Sequence, residues 1–170
     1  MKRLTLMRHG DARWKDPGLP DIERPLSRSG AAAAEAMGRR LLELELVPDL
    51  LVMSPARRTL QTAEIVAREL SIPARRMLRE EALYLASAAD ILKVAQGTGP
   101  RVAHLMIVTH NPGVSELVQQ LAPKDKTGGL GTAAVCSITF DCAQWNAIDG
   151  SIVSGVQREV APKRLFGLFS

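Results

Sequence analysis

The sequence predicts an α/β fold in three α/β/α layers, with a mostly parallel central sheet and helices on both faces. Two observations predict it. Short apolar runs alternate along the chain with stretches rich in helix formers, which is the pattern of repeated strand–helix units. The chain is 46% hydrophobic but only 4% aromatic, so aliphatic side chains must fill the core. A length of 170 residues suits a single domain over residues 1–170, with a loosely held tail from about residue 162.

The first half of the chain supplies two strands, each followed by a long helix. The apolar run RLTLM is predicted to be a buried first strand. A helix follows over about residues 27–46, where the tract AAAA consists of the strongest helix former. DLLVMS is the second strand, and the second helix covers residues 57–70.

The second half continues the alternation and then closes the sheet. ARRMLRE is predicted as a third strand, with a short helix after it over residues 88–96. VAHLMIVT is the strongest strand of the sequence, and a helix follows over about residues 113–121. The last two apolar runs are expected to be closing strands, antiparallel to each other: AAVCSITF and SIVSGVQREV.

Charge and cysteine content narrow the possible functions. The net charge is +4, carried mostly by arginine, which binds phosphate and carboxylate through paired hydrogen bonds. This indicates an anionic partner, with a plain solvated basic surface as the simpler alternative. The modest charge and few aromatics argue against nucleic acid, and no apolar stretch predicts a membrane span or a leader. Cys136 and Cys142 lack metal-ligand spacing, so we expect a reducing compartment, the cytoplasm.

Polar residues follow three of the predicted parallel strands at the points where they end. Arg8, His9 and Gly10 follow the first strand, SPARRTLQTA follows the second, and THNPG follows the fourth. Ligands of such sheets bind outside the carboxyl ends of the strands. Any one of these groups is ordinarily a solvated strand end, but their joint occurrence at one edge predicts a functional site.

These residue types suit phosphoryl transfer. A neutral His9 is a nucleophile for phosphorus, and Arg8 with an arginine of the second loop would stabilise the phosphoryl charge. Gly10 would let the backbone approach the phosphate closely. His110 would face His9 across the phosphoryl group, either donating to an oxygen or ordering water. His104 lies near the start of its strand and is expected to be structural.

The motifs MRHGDA, PLSRSG, SPARRTLQTA and THNPG, in this order, resemble those of the histidine phosphatase superfamily. The short chain is similar to its SixA-like phosphohistidine phosphatase branch. The resemblance implies a phosphoglycerate-mutase-like fold. It also implies catalytic roles for four residues: His9, Arg8, Arg58 and His110. His9 is the nucleophile, and the other three also bind phosphate.

The same resemblance refines the choice of residues. In the S-P-x-x-R pattern the functional arginine is Arg58 and not Arg57, and the loop around Thr132 would bind phosphate through its backbone. Two positions depart from the family pattern. Thr109 stands where many members have glycine or serine, and Thr59 stands where alanine is common. Both residues are small, so we expect a slightly reshaped pocket that keeps its activity.

The predicted reaction is hydrolysis of phosphohistidine on a signalling or phosphotransfer protein, such as a phosphorelay or phosphotransferase carrier. The segment between residues 70 and 102 has little room to wall in a metabolite, so the site should admit a protein side chain. Imidazole is a far better leaving group than an alkoxide, so a strong general acid is dispensable. No metal or cofactor is required, and no carboxylate cluster suggests one.

Two alternatives stay open. The first is a small-molecule phosphomonoesterase, for which Glu80 or Glu81 would serve as the proton donor if it points into the pocket. A one-residue shift in a strand reverses that direction, so the sequence leaves it undecided. The second alternative belongs to another class: a module that binds phosphate-bearing ligands without turnover, which would need the arginines but not both histidines.

Overall fold

A computed structural model describes residues 1–13 and 16–162 of the chain. In this part the chain forms six strands and four α-helices. The strands are β1 (Lys2–Arg8), β2 (Leu50–Met53), β3 (Met77–Arg79), β4 (His104–Thr109), β5 (Val135–Phe140) and β6 (Val153–Glu159). The helices are α1 (Arg28–Glu43), α2 (Arg57–Glu69), α3 (Ala88–Gln96) and α4 (Gly113–Leu121). The tail predicted from about residue 162 lies almost wholly outside the described residues.

The α/β prediction is confirmed, but the sheet is mixed. Its strand order is β3-β2-β4-β1-β5-β6. The pairs β3–β2, β2–β4 and β4–β1 are parallel, whereas β1–β5 and β5–β6 are antiparallel. Strand β5 alone therefore runs against the others. After α4 the loop carries the chain back to the carboxyl edge, so β5 begins at Val135 opposite Met7 and runs antiparallel to β1.

Two apolar layers, one on each face of the sheet, hold the helices. In β4, Leu105 and Ile107 pack with α3 and α4, while Met106 and Val108 pack with α1 and α2. This alternation follows from the two-residue period of a strand. Because both faces of the central strands are buried, those strands are continuous apolar runs in the sequence. The three-layer arrangement is thus as predicted.

Helix ends follow local capping rules. Ser27 accepts a hydrogen bond from the Gly30 N–H and starts α1, and Ser87 accepts one from the Asp90 N–H and starts α3. The observed α3 and α4 have the predicted bounds. Helix α1 ends at Glu43, before the predicted end, and Glu45 then adopts a left-handed φ of 57° that turns the chain.

The third strand is much shorter than predicted. After Pro73 the chain forms a 3₁₀ turn over Ala74–Arg76, and β3 has only three residues. It pairs with β2 alone and leaves Leu78 exposed, so a single neighbouring strand stabilises it.

Each helix described within residues 1–13 and 16–162 is too short or too polar to span a membrane.

Replacing Gly30 by alanine is expected to disturb the loop after β1. A Cβ at Gly30 would overlap the carbonyl oxygen of Asp11, and a Cβ at Gly10 would lie 2.7 Å from the Gly30 carbonyl oxygen. We expect a loss of about 1–3 kcal/mol in the free energy of unfolding, measured by urea denaturation. Gly99→Ala is the control, because its Cβ would meet nothing within 4 Å. Equal stability of the two variants would contradict close packing at Gly30.

Candidate active site

The predicted histidines and Arg58 meet at the carboxyl edge of the sheet. Arg8 pairs with Thr109 in the β1–β4 register, and the His9 N–H donates to the Thr109 carbonyl at 3.2 Å. The strands therefore deliver His9 and His110 side by side, with ring centroids 5.4 Å apart. Arg58, in the first turn of α2, lies against His110. The site assembles from segments far apart in the sequence.

His9 is held as a neutral ring with one nitrogen free. Its Nδ1 lies 2.6 Å from the Gly10 carbonyl oxygen. A carbonyl only accepts hydrogen bonds, so Nδ1 carries the proton and Nε2 keeps its lone pair. Burial lowers the pKa of His9 to about 4, helped by the charges of Arg58 and Arg8 and opposed by the Gly10 bond. At neutral pH the ring is therefore a nucleophile without prior deprotonation.

His110 is buried and also neutral. Its Nε2 lies 2.7 Å from Ser54 Oγ, and its Nδ1 lies 3.5 Å from an Arg58 Nη2. A guanidinium only donates, so Nδ1 holds the lone pair and Nε2–H donates to Ser54. Burial, then the nearby His9 and Arg58, lower the pKa of His110 to about 3. The ring is therefore a proton acceptor at Nδ1 in the folded protein.

Arg58 and Arg8 supply the positive charge of the site. The Arg58 side chain is almost fully buried, at 4% exposure, while Arg8 is half-buried. Arg8 donates to the Leu130 carbonyl at 3.3 Å. The buried Nε of each arginine has no hydrogen-bond partner among the described residues. A buried guanidinium N–H without a partner is costly, and an anion with several oxygen acceptors would remove that cost.

Asp21 and Tyr84 complete the site and were missed by sequence reasoning. The Asp21 carboxylate accepts from Arg58 Nη2 at 3.1 Å and from the Tyr84 hydroxyl at 2.8 Å. Tyr84 also packs edge-on against His110. Burial opposes ionisation of Asp21, but the bonds from Tyr84 and Arg58 prevail and lower its pKa. Asp21 thus stays a carboxylate that orients Arg58.

A weak signal for these two residues existed in the sequence. Tyr84 is the only tyrosine of the chain, and Asp21 lies shortly before the PLSRSG motif. Neither follows a predicted strand directly. Asp21 begins the 3₁₀ segment Asp21–Glu23, and Tyr84 directly follows the 3₁₀ segment Glu81–Leu83. Their pairing across 63 positions is decided only in three dimensions.

Two further residues predicted to bind phosphate, Gly10 and Thr132, lie in loops at the carboxyl edge of the sheet. The Gly10 N–H donates to Thr62 Oγ1 at 3.0 Å, so this amide is already used. Close packing on Gly30 also favours glycine there, and the close approach of phosphate to Gly10 stays a prediction. Thr132 is exposed at the end of its loop, and its role stays a prediction. The next residue, Ala133, has a left-handed φ of 58° and donates its N–H to the Arg8 and His9 carbonyls.

The predicted proton donors, Glu80 and Glu81, form hydrogen bonds within their own segment. Glu80 lies at the carboxyl end of β3, but its carboxylate accepts from the Ala82 N–H in the same turn. Glu81 is exposed and pairs with Arg79 at 2.8 Å. In the described part of the chain, no hydrogen bond or ion pair joins either glutamate to His9, His110, Arg8 or Arg58. The role of either glutamate as a proton donor stays a prediction.

At the two positions that depart from the family pattern, the threonine hydroxyls donate hydrogen bonds to backbone carbonyls. Thr109 is buried and donates to the Leu83 carbonyl at 3.1 Å, which ties β4 to the segment carrying Tyr84. Thr59 donates to the Ser54 and Ala56 carbonyls at the start of α2. Both hydroxyls therefore point into the fold. Among the described residues, no cluster of three or more metal-ligating side chains occurs.

His104 lies away from this edge, at the start of β4. Its Nε2 is 2.8 Å from Thr5 Oγ1, which in turn bonds Ser137 Oγ at 3.0 Å. Burial lowers the pKa of His104 to about 4. The ring is a neutral member of a cross-strand hydrogen-bond network joining β1, β4 and β5. This agrees with the structural role predicted for it.

The low pKa values of the three histidines predict that the free energy of unfolding decreases in acid. Their pKa values of about 4, 4 and 3 in the folded protein lie below the ordinary value of 6.5. Unfolding therefore takes up protons, and the free energy of unfolding should hold above pH 6.5 and fall between pH 6.5 and 4. In that range, His104→Gln should reduce the slope by up to about 1.4 kcal/mol per pH unit. Urea titrations at several pH values measure it; an unchanged slope would mean that His104 titrates normally when folded.

Comparison with known proteins agrees with this geometry. The family model of the histidine phosphatase superfamily (branch 1) matches residues 4–83. Phosphohistidine phosphatase SixA of Escherichia coli (strain K12) is 28% identical over 140 residues, covering 82% of this chain and 86% of that protein.

Two solved structures extend the similarity to the fold. The crystal structure of a candidate phosphohistidine phosphatase SixA from Agrobacterium tumefaciens has a TM-score of 0.76 and 25% identity, covering 82% of this chain and 92% of the other. The protein histidine phosphatase SixA complexed with tungstate has a TM-score of 0.73 and 25% identity, covering 91% and 95% of the two chains. The paired histidines, the buried arginine and these matches make the chain similar to the histidine phosphatase superfamily and, within it, to the SixA proteins.

Proposed function

We propose that this protein hydrolyses phosphohistidine on a protein substrate through a phosphorylated His9. One observation favours a phosphohistidine substrate over the phosphate esters that a general phosphatase hydrolyses. The site presents two neutral imidazoles and two guanidinium groups, while Asp21, the carboxylate bonded to Arg58, is held ionised by Tyr84 and Arg58. Such a site can stabilise a transferring phosphoryl group, but it has no obvious acid for an alkoxide leaving group. The activity named for the Escherichia coli relative is consistent with this.

In the first step, the His9 Nε2 lone pair attacks phosphorus and the phosphorus–nitrogen bond of the substrate breaks. The substrate ring, protonated on its other nitrogen, leaves as neutral imidazole and needs no proton from the enzyme. Arg8 and Arg58 donate to the equatorial oxygens, where charge spreads in the transition state. The His9 Nδ1–H remains bonded to the Gly10 carbonyl throughout, which fixes the direction of attack.

In the second step, water attacks phosphorus and phosphate leaves His9. The leaving imidazole again retains its Nδ1 proton, so His9 returns to its starting tautomer. The proton of the attacking water passes to a phosphate oxygen, or to His110 Nδ1 when Arg58 donates to the phosphate instead of to that atom. Ser54, bonded to His110 Nε2, holds that ring in the orientation this transfer requires.

The shape of the chain around the site supports a protein substrate. Only residues 80–87 connect β3 to α3, so little chain is available there to cover the site. Leu85 in this connection is 60% exposed beside Tyr84. A phosphohistidine on a phosphorelay or phosphotransferase carrier can reach such a site. We place the reaction in the cytoplasm, in keeping with the free thiols of Cys136 and Cys142.

The proposal is tested by phosphate release from three substrates: a phosphohistidine protein, p-nitrophenyl phosphate and 3-phosphoglycerate. We expect fast release from the phosphohistidine protein and none from 3-phosphoglycerate, unchanged by a metal chelator, since neither step uses a metal. Because p-nitrophenolate leaves without a proton donor, p-nitrophenyl phosphate reports phosphoryl transfer to His9 alone. Fast release from 3-phosphoglycerate would instead indicate a small-molecule phosphomonoesterase, with Glu80 turned towards the leaving group. Release from none, together with tight phosphate binding, would indicate a binding module.

A further inference from the structure

We propose that a second site, beside the catalytic one, binds acidic side chains of the phosphohistidine protein. The site is a surface cavity of about 400 Å³ between the N-terminal end of α1 and the middle and C-terminal half of α2. We call it the arginine groove. Its polar lining consists of Arg13, Arg28, Arg68, Ser27, Gln61 and Glu64. The inference rests on the proposed function and adds how the protein substrate is recognised.

The charge of the groove is unbalanced. Its three arginines are exposed, and none forms an ion pair within residues 1–13 and 16–162. Other arginines of the same helices are neutralised: Arg39 pairs with Glu35 and Glu69, and Arg40 with Glu43 and Glu159. One glutamate, Glu64, lies among the three groove arginines, so the lining keeps an excess of positive charge.

The groove is structurally coupled to the nucleophile. Arg13 is four residues after His9, so their backbones lie within about 14 Å of each other. The intervening chain is fixed: Ala12 bridges to Leu26, and the Arg13 N–H donates to the Pro25 carbonyl at 3.0 Å. On the α2 side, Gln61 in the groove precedes Thr62, which binds the Gly10 N–H. A protein whose phosphohistidine reaches His9 would therefore lay neighbouring residues over the groove.

The chemistry favours carboxylates on a protein over a second phosphate. A tight phosphate site needs buried donors, as at Arg58, whereas the groove arginines are solvent-exposed and screened by salt. Exposed arginines spread over an open cavity gain by meeting several carboxylates at once, each within reach of a planar guanidinium. Such contacts raise the association rate and select the partner more than they add binding energy.

The test uses three phosphohistidine substrates: the free amino acid, a peptide with glutamates flanking the phosphohistidine, and the same peptide with glutamines there. The variant is Arg13→Gln/Arg28→Gln/Arg68→Gln. The matched control is Arg75→Gln/Arg76→Gln/Arg101→Gln, which removes the same charge from exposed positions before β3 and β4, at the opposite edge of the sheet. Thermal unfolding of both variants checks that each remains folded.

Wild type and control are expected to turn over the glutamate peptide with a kcat/KM about tenfold above that of the glutamine peptide, at low salt. The groove variant should lose this preference through KM, while its turnover of free phosphohistidine stays at the wild-type level. Equal kcat/KM for both peptides in the wild type, or an equal loss in the control, would overturn the groove alone. Failure of the wild type to hydrolyse free phosphohistidine and both peptides would overturn the proposed function and the groove with it.

Discussion

Asparagine in place of His9 is expected to abolish phosphate release, with a loss of at least about 10⁴-fold in kcat. The variant lacks the Nε2 lone pair that attacks phosphorus, so the covalent intermediate cannot form. Asparagine is similar in size and keeps a polar group near the Gly10 carbonyl. The loss should therefore occur in a folded protein that still binds phosphate through Arg8 and Arg58.

The measurement is a single-turnover reaction with a radiolabelled phosphohistidine protein, stopped in alkali because a phosphorus–nitrogen bond is labile to acid. Wild type should show transient label on His9, located by peptide mass spectrometry, and His9→Asn should show none. His104→Gln is the matched control, since that histidine is equally neutral but lies in the Thr5–Ser137 network. Label on another residue, or normal turnover by His9→Asn, would refute the assignment of the nucleophile.

Glutamine in place of Arg58 is expected to reduce kcat by about 10²–10³-fold, the usual cost of removing a preorganised group that stabilises transition-state charge. Arg58 is buried, oriented by Asp21 and adjacent to His110. Its charge therefore acts on the phosphoryl group with little screening by water. The change also removes a positive charge that binds the anion and leaves the Asp21 carboxylate without its Arg58 bond, so inhibition by orthovanadate should weaken together with kcat.

Arg57→Gln is the control for this prediction. The two arginines are neighbours in the sequence and each substitution removes one positive charge, but Arg57 is exposed whereas Arg58 is buried. We expect Arg57→Gln to retain kcat within about twofold, because exposed charges are screened. Steady-state rates of both variants on one phosphohistidine substrate decide the matter. Comparable losses would mean that the overall field, and not the placed guanidinium, supplies the effect.

Much of the fold could be predicted because local and tertiary preferences agree. The strands β1 and β4 are apolar runs that lie between two helix layers, so burial on both faces is written directly in their composition. The bounds of α3 and α4 were also predicted to the residue. The predicted length of β3 was wrong, because a half-exposed edge strand after Pro73 has few apolar residues to mark its ends.

The candidate site divides in the same way. His9, His110 and an arginine of the second loop follow strands at the carboxyl edge, so the alternation of elements was enough to expect them together. The choice of Arg58 over Arg57 came from the family resemblance. Asp21 and Tyr84 come from 3₁₀ segments, whose positions depend on what they pack against. Glu80 was considered as an acid from its place after β3, yet its carboxylate caps its own turn.

The sequence by itself determined the layers, the family resemblance and the edge on which the histidines lie, because periodicity and motif order depend on neighbouring residues. Only the tertiary structure decided the reversed direction of β5, the use of the Gly10 amide by Thr62, and the protonation of both site histidines. Each of these depends on distances between segments remote in the chain. Burial, which lowers both imidazole pKa values most, arises only when those segments pack together.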